Sequence, residues 1–368
     1  MSLGRAVSSF IVADRKTDYL LPPSLDDWLT EDHLAWFIVE VIDQLDLSRV
    51  TRQYAGRGSK AHHPATLLAI LVHGYANGVF SSRKLERATC DSVAFRYLAA
   101  GSHPDHDTLA TFRRRFLDEL SDLFVQVLEL AREMKLFKLG NVCLDETKIH
   151  TNASRHSALS HGHIEKLEGR LKAKVQELLA LAEQAGQADG PDGGFEQAYN
   201  AQAAVDAATM PVVATGVTQA PNDQEQVAPM LATLTAQAEV LGVAECLIAD
   251  TGFCSEKNLQ ACVAANIEPL LAVARDEHHP DWRERHSESD PLPADATPMQ
   301  AMAHRLKTKA GRALYALRKQ TVEPVFGIIK SVMEFRQFSL RGLKQVTGEW
   351  ALVCLAWNLK RMAVLRPQ

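Results

Sequence analysis

The chain has 368 residues, of which 46% are hydrophobic and 23% are charged. These proportions are typical of a folded protein with substantial cores, and they exclude an intrinsically disordered chain. Lys and Arg number 40 against 45 Asp and Glu, which gives a formal charge of -5 and argues against a wholesale basic DNA-binding protein. A nucleic-acid partner is not excluded, because what matters is where the positive charge lies.

The spacing of the cysteines and the length of the apolar segments argue against further classes of protein. The six cysteines are spread thinly and include no Cys-x-x-Cys pair, so neither a disulfide scaffold nor a zinc ribbon is expected. Residues 1–16 lack the apolar stretch of a secretion signal, and no apolar run is long enough to span a bilayer. We therefore expect a reduced, cytosolic protein.

The first third of the chain predicts a unit made only of helices. From Pro22 to about Leu136, apolar residues recur at three- and four-residue spacing, and polar turns separate the runs. Pro64 suits the first turn of one helix, and Gly78 interrupts that helix. Short helices joined in this way form a compact all-α module.

Two aspartates are predicted to cap later helices of this unit. Asp91 precedes a predicted helix over 93–99, and Asp107 precedes one over 108–136. Residues 1–137 are therefore the predicted helical domain.

The pattern changes in the second predicted domain, residues 138–368. Short apolar runs predict buried strands at 141–145, 245–249 and 267–273, and two extended runs predict a β-hairpin at 198–205 and 211–217. Helical patterns occupy 164–185, 224–241, 255–265 and the C-terminal 299–368. This order implies a mixed α/β sheet with helices packed on it.

Three acidic residues are candidates for chemistry. Asp145 and Asp250 each end a predicted strand, and ligands of open α/β sheets bind at the carboxyl ends of strands. Each aspartate could instead only cap the turn that follows. Glu323 shares a predicted helix face with Gly327 and Lys330, where the alternative is a set of solvated charges on an amphipathic helix.

Positive charge is concentrated near the last of these acids. Between Arg305 and Lys344 the chain has ten Lys or Arg against two acids, Glu323 and Glu334. Such a stripe suits the tracking of DNA phosphates. Pro324 directly follows the first acid and is predicted to kink or start a helix there.

The helical domain has basic candidates of its own. Arg83 and Lys84 lie on one predicted helix, and Arg113 and Arg114 lie on another. They are candidates for a helix-turn-helix-like DNA reader. The alternative is that they are ordinary arginines and lysines on exposed helix faces.

Several segments, taken in order, carry a resemblance to a known family. Segments 144–150, 198–206, 249–253 and 321–327 resemble the bacterial DDE-type insertion-sequence transposases. The N-terminal part resembles the InsH-like helical domain of that family, notably at 21–25, 80–86 and 103–114. The resemblance covers nearly the whole chain.

The resemblance implies both a fold and a catalytic site. The fold is an all-helical DNA-binding domain followed by a ribonuclease-H-like catalytic domain with a mixed sheet. Asp145, Asp250 and Glu323 are implied to be the catalytic triad, which holds two Mg²⁺ ions, or Mn²⁺ in their place, for cleavage and joining of DNA strands.

The same resemblance implies partners. Tyr315, Arg318 and Lys330 would contact the phosphates of the transposon end, since Arg and Lys both bind phosphate. The partners would be transposon-end DNA, target DNA and further copies of the chain assembled on DNA. The place of action would be the bacterial nucleoid.

The chain departs from the family pattern at three places. Glu146 stands where many relatives have glycine, the gap between Arg318 and Glu323 is one residue longer than usual, and only 188–194 replaces a long charged insertion. Two alternatives therefore stay open. One is an inactive or shortened relative that only binds DNA, and the other is a metal-dependent hydrolase that does not act on DNA.

Overall fold

In this computed structural model, the structure describes residues 24–54, 61–152, 198–220, 223–273, 292–293 and 295–367. The predicted helix over 164–185 and the short segment 188–194 lie outside the described residues.

Helices form the first part of the structure, as predicted. After a 3-10 turn at Leu25–Trp28, the α-helices are α1 (Leu34–Asp43), α2 (Ser48–Thr51), α3 (Pro64–Ala76), α4 (Ser82–Asp91), α5 (Val93–Leu98), α6 (His106–Arg115) and α7 (Leu117–Glu133). The predicted proline start is confirmed, because Pro64 lies in the first turn of α3. The predicted cap at Asp91 is wrong: this residue ends α4, and α5 begins after Ser92.

The predicted helix over 108–136 also differs from the structure. Its cap is Asp105 rather than Asp107, because the Asp105 side chain accepts a hydrogen bond of 2.7 Å from the Thr108 backbone N–H. The helix then breaks at Phe116, whose buried ring lies between α6 and α7. Two shorter helices replace the single long one.

One mixed sheet of five strands follows. Its strands are β1 (Asn141–His150), β2 (Ala198–Asp206), β3 (Val212–Thr218), β4 (Cys246–Ala249) and β5 (Glu268–Leu271). They lie in the order β3-β2-β1-β4-β5. The predicted hairpin is confirmed by the antiparallel pairing of β2 and β3, while β4 is parallel to both β1 and β5.

β1 is longer than predicted, which changes the place of Asp145. The strand pairs with β2 as far as His150, so Asp145 lies in its middle and the expectation that it ends a strand is wrong. What changes at this point is burial: the three residues before Asp145 are buried, whereas Asp145, Glu146 and Thr147 are partly exposed. Asp250, by contrast, directly follows β4 as predicted.

The remaining helices cover the sheet. A 3-10 turn at Asp223–Gln226 leads to α8 (Val227–Ala236), α9 (Ala238–Leu241), α10 (Glu256–Ala264), α11 (Pro298–Lys307), α12 (Lys309–Ser331) and α13 (Leu343–Leu365). The predicted helix over 224–241 is therefore broken. Pro324 neither starts nor ends α12, which continues through it with the exposed proline on its outer side.

The C-terminal helix α13 joins the helices to the sheet. It packs against α3 and α7 on one side and against β3 on the other. Its Glu349 is fully buried, accepting hydrogen bonds from the Tyr75 hydroxyl (2.7 Å) and from the backbone N–H groups of Ser339 and Leu340 (2.9 Å each). The helices and the sheet therefore share one continuous hydrophobic core.

Two further observations concern cysteines and membranes. All six cysteines lie in the described residues, and none forms a disulfide. Within the same described ranges, no helix is both long and apolar enough to cross a bilayer.

Candidate active site

Three chain segments bring the three candidate carboxylates together. Asp145 lies on β1, Asp250 begins the short turn after β4, and Glu323 lies on α12. The parallel register pairs Cys143 with Ile248, and continuing it by two residues places Asp145 beside Asp250. The pairing of the two central strands thus brings together two acids that are about a hundred residues apart in the chain.

Each aspartate is oriented by a backbone N–H group. Asp145 Oδ1 accepts a hydrogen bond of 2.9 Å from the N–H of Glu146. Asp250 Oδ1 accepts one of 3.0 Å from the N–H of Gly252. In both residues the second oxygen, Oδ2, is left for another partner.

That partner is Arg318, on α12. Its Nη2 lies 2.9 Å from Asp145 Oδ2 and 3.3 Å from Asp250 Oδ2. Its Nη1 lies 3.7 Å from Glu323 Oε1. One guanidinium therefore contacts all three candidate carboxylates, as its planar fork of donors permits.

Exposure increases across this cluster. The side chains of Asp145 and Arg318 are only 13% and 14% exposed, whereas those of Asp250 and Glu323 are 36% and 51% exposed. The site is therefore closed around Asp145 and Arg318 and open around Asp250 and Glu323, which is the side that a large substrate could reach.

Burial and charge shift the pKa values at the closed end. Burial raises the pKa of Asp145 to about 6, although the neighbouring Arg318 acts to lower it. Burial would lower the pKa of Arg318, but the charges of Asp145 and Asp250 outweigh it and raise that pKa. Arg318 therefore stays positively charged in the site.

A second pair of acids, Glu146 and Asp223, lies next to these residues. Burial and a side-chain hydrogen bond with Asp223 raise the pKa of Glu146 to about 8, so Glu146 takes up a proton more readily than an exposed glutamate does. Gly252 lies close to this pair, since a Cβ on it would be 3.0 Å from Asp223 Oδ2. The sequence analysis identifies Glu146 as an added charge, but no signal points to Asp223, which directly precedes the predicted helix over 224–241.

The predicted phosphate contacts on α12 have different surroundings. Arg318, which was predicted to contact DNA, has its guanidinium held by the three acids in this structure. Tyr315 lies one turn before Arg318 and is partly buried. Burial and the nearby charge of Arg336 lower the pKa of Lys330, whose backbone carbonyl accepts a hydrogen bond of 2.9 Å from Arg336 Nε.

Three of the four basic candidates in the helical part lie on its surface. Arg83 and Lys84 are exposed on α4, and Arg114 is exposed on α6. Arg113 is only 7% exposed, and its Nη1 donates hydrogen bonds of 2.9 Å to the Tyr75 hydroxyl and to the Phe80 carbonyl. The prediction that Arg113 binds DNA is therefore wrong, because its donors point into the protein.

The cluster has the chemistry of a site for hard cations. Its donor atoms are carboxylate oxygens, which suit Mg²⁺ or Mn²⁺ rather than zinc. In the arrangement seen here the oxygens surround the Arg318 guanidinium, and within the described residues no three His, Cys, Asp or Glu side chains are placed to hold an ion. Ligand chemistry is therefore present, but the position between the acids is taken by an arginine.

Comparison with known proteins gives two family matches. Residues 23–115 match a transposase domain (DUF772), and residues 291–363 match a transposase DDE domain. The first match spans α1 to α6, and the second contains α12 with Arg318 and Glu323. No curated protein and no solved structure matches the chain significantly. The occurrence of two transposase-domain matches in this order on one chain supports an insertion-sequence DDE transposase.

Proposed function

We propose that this transposase binds the ends of its transposon and cuts and joins DNA strands by metal-dependent phosphoryl transfer. In this proposal Asp145, Asp250 and Glu323 are the catalytic carboxylates. The observation that carries the proposal is their convergence, from β1, from the end of β4 and from α12, on the single guanidinium of Arg318. A mixed five-stranded sheet with the first acid on its central strand supports a ribonuclease-H-like catalytic domain.

The three carboxylates would hold the divalent ions that this chemistry needs. Two Mg²⁺ ions bound there would activate the attacking oxygen and stabilise the leaving oxygen of an in-line displacement. Mn²⁺, which takes similar oxygen ligands, would substitute. The three side chains that form ion pairs with Arg318 are all carboxylates.

The chain's own groups prepare the site for that reaction. The backbone N–H groups of Glu146 and Gly252 fix the orientation of Asp145 and Asp250, so little reorganisation is needed when a substrate arrives. The exposed carboxylate of Glu323 marks the open side, where a DNA phosphate can approach.

Basic residues beside the open side would bind the DNA backbone. Lys319 is exposed on α12, while Lys330 and Arg336 lie together beyond Glu323. In the helical part, Arg83, Lys84 and Arg114 would bind the transposon end, which makes residues 1–137 the proposed DNA-binding domain. Copies of the chain would assemble on the two ends, and target DNA would be the second substrate.

Single substitutions of the acids test the proposal. Asp145→Asn, Asp250→Asn and Glu323→Gln each remove a charge with little change of shape. With Mg²⁺ and DNA carrying the element's own ends, each should lower strand cleavage by at least about a hundredfold, which corresponds to about 3 kcal/mol of transition-state stabilisation. Binding of the same DNA, measured by fluorescence anisotropy, should remain.

A matched control is Glu129→Gln, which removes an exposed acid on α7 and should cleave at the wild-type rate. Wild-type cleavage by any of the three site variants would contradict the triad. A wild-type protein that binds transposon ends but cleaves them with neither Mg²⁺ nor Mn²⁺ would instead favour a protein that only binds DNA.

A further inference from the structure

We propose that Arg318 is a positioning residue that holds the three carboxylates as an internal cation and leaves that position when a divalent ion binds them. The inference rests on the proposed function, because it concerns the same carboxylates. It adds a role for Arg318 that differs from the direct phosphate contact implied by the sequence resemblance.

The first argument concerns the present partners of the carboxylate oxygens of Asp145 and Asp250. Oδ1 of Asp145 and Oδ1 of Asp250 already accept backbone hydrogen bonds. Their Oδ2 atoms both contact the same nitrogen, Nη2 of Arg318, at 2.9 and 3.3 Å. An ion that binds these two Oδ2 atoms would therefore replace their contacts with Arg318.

The second argument is space. A magnesium ion lies about 2.0–2.1 Å from its ligand oxygens, well inside the distance of a hydrogen-bonded nitrogen. An ion held by the Oδ2 atoms of Asp145 and Asp250 would compete with Nη2 of Arg318, which contacts both. The guanidinium and the ion would therefore compete for the same oxygens.

The third argument is charge. One guanidinium faces three carboxylates, so it neutralises only part of their negative charge. It limits their mutual repulsion and keeps them together, yet the remaining charge still attracts a divalent cation. Because Asp250 and Glu323 are 36% and 51% exposed, an ion can enter from their side.

The Arg318 side chain has other basic residues near it in the sequence. Arg318 precedes the exposed Lys319 on α12, in the most basic part of the chain. Once released from the acids, its guanidinium can bind a DNA phosphate in the same region. Ion binding would then expose a DNA contact that the acids otherwise hold.

Titration with Mn²⁺ alone, followed by electron paramagnetic resonance, tests this exchange without DNA or catalysis. Arg318→Gln removes the competing charge, so we expect it to bind Mn²⁺ at least about tenfold more tightly than the wild type. Lys257→Gln is the matched control, because it makes the same change of charge at an exposed position on α10, away from the residues assigned to DNA binding. Its Mn²⁺ affinity should stay within about twofold of the wild type.

A purely structural arginine gives the opposite result. If Arg318 only shaped the site, its loss would let the carboxylates separate, and Arg318→Gln would bind Mn²⁺ more weakly. Equal or weaker binding by this variant overturns the inference. Should the Arg318→Gln variant not fold, Arg318→Lys replaces it. A single ammonium group cannot contact all three acids, so we again expect this variant to bind Mn²⁺ more tightly than the wild type. Equal or weaker Mn²⁺ binding by Arg318→Lys overturns the inference.

The proposed function fails by a different result. In the Arg318→Gln background, Asp145→Asn should abolish the added Mn²⁺ binding. If the added binding persists, the ion lies elsewhere and the inference is overturned. The proposed function is contradicted by a different result, which is wild-type DNA cleavage by Asp145→Asn, Asp250→Asn or Glu323→Gln in the otherwise unchanged protein.

Discussion

At the residue scale, Arg113 and Arg114 show how neighbours in the chain can have opposite roles. Arg113 points into the protein and donates to the Tyr75 hydroxyl and to the Phe80 carbonyl, whereas Arg114 is exposed on the outer side of α6. The sequence treats the two as equivalent basic residues. Only the packing of α6 against α3 separates them.

Substituting each arginine should separate stability from DNA binding. Arg113→Met leaves the buried acceptors without their donor and should lower the free energy of unfolding by about 3 kcal/mol. Arg114→Gln should change the free energy of unfolding by less than about 0.5 kcal/mol. It should also make the plot of log DNA affinity against log salt concentration less steep by about 1, as expected for the loss of one phosphate contact. Urea unfolding measures the stability of both variants, and DNA titrations at several salt concentrations measure their DNA binding. An Arg113→Met protein that is stable but binds DNA weakly would contradict the assignment of Arg113 to stability and Arg114 to DNA binding.

His73 makes folding depend on pH. Burial lowers the pKa of its imidazole to about 4, and the positive charges of His33 and Lys360 act in the same direction. The folded protein therefore keeps His73 neutral where the unfolded chain binds a proton. The stability that this provides is complete above about pH 6.5 and is lost as the pH falls towards about 4.

His73→Gln should remove this dependence on pH. Between about pH 7 and about pH 5, the wild type should lose about 2 kcal/mol more unfolding free energy than the variant does. Urea unfolding of both proteins at the two pH values measures the difference, in which the contributions of other titrating groups cancel. Equal losses in the two proteins would show that His73 is not held neutral.

At the element scale, two glycines in helices have opposite surroundings. A Cβ on Gly348 would lie 2.7 Å from Leu117 Cβ, so this glycine lets α13 approach α7 closely. A Cβ on Gly327, which is exposed on α12, would meet no atom within 4 Å. One glycine is needed for packing, and the other only lowers the stability of its helix.

Alanine at these two positions should act in opposite directions. Gly348→Ala should cost about 2 kcal/mol of unfolding free energy, because Leu117 or α13 must move. Gly327→Ala should add about 0.5–1 kcal/mol, because alanine favours the helix and restricts the unfolded chain. Thermal unfolding of both variants measures the two effects, and a neutral Gly348→Ala would show that α7 and α13 are not closely packed.

Most elements could be predicted from local patterns, whereas their ends and partners could not. Asp145 was expected to end its strand because the apolar run ends there, but β2 supplies backbone partners as far as His150. A one-dimensional pattern contains no information about that partner. The break at Phe116 likewise involves a distant partner, because its buried ring stacks on Tyr54.

The three acids of the candidate site could be predicted from the sequence, but their contacts with Arg318 could not. Asp145, Asp250 and Glu323 could be named from strand and helix patterns together with a family resemblance. The contact of Arg318 with all three could not, since it depends on how α12 lies across β1 and β4. The pair of Glu146 and Asp223 was missed for the same reason, because its members come from elements far apart in the chain.

At the scale of the whole molecule, α13 connects parts that the sequence separates. Trp350 Nε1 donates a hydrogen bond of 2.8 Å to the carbonyl of Gln202 on β2, while Glu349 accepts one from Tyr75 on α3. The C-terminal helix therefore belongs to the core of the helical part as much as to that of the sheet.

This shared core should make unfolding a single cooperative event. Two probes of urea unfolding should give coincident transitions: circular dichroism, which reports mainly on the helices, and the fluorescence of a variant that keeps Trp350 as its single tryptophan, which reports on the sheet. Glu349→Ala should move both transitions to lower urea together. Separate transitions would show that the helical part and the sheet fold independently despite α13.

The position of bound metal tests the central claim most directly. We expect an anomalous difference map from crystals of the protein with transposon-end DNA and Mn²⁺ to show an ion bonded to oxygens of Asp145 and Asp250, with Glu323 at the same site and Arg318 displaced from the acids. Manganese bound elsewhere, with none at these three carboxylates, would contradict the account.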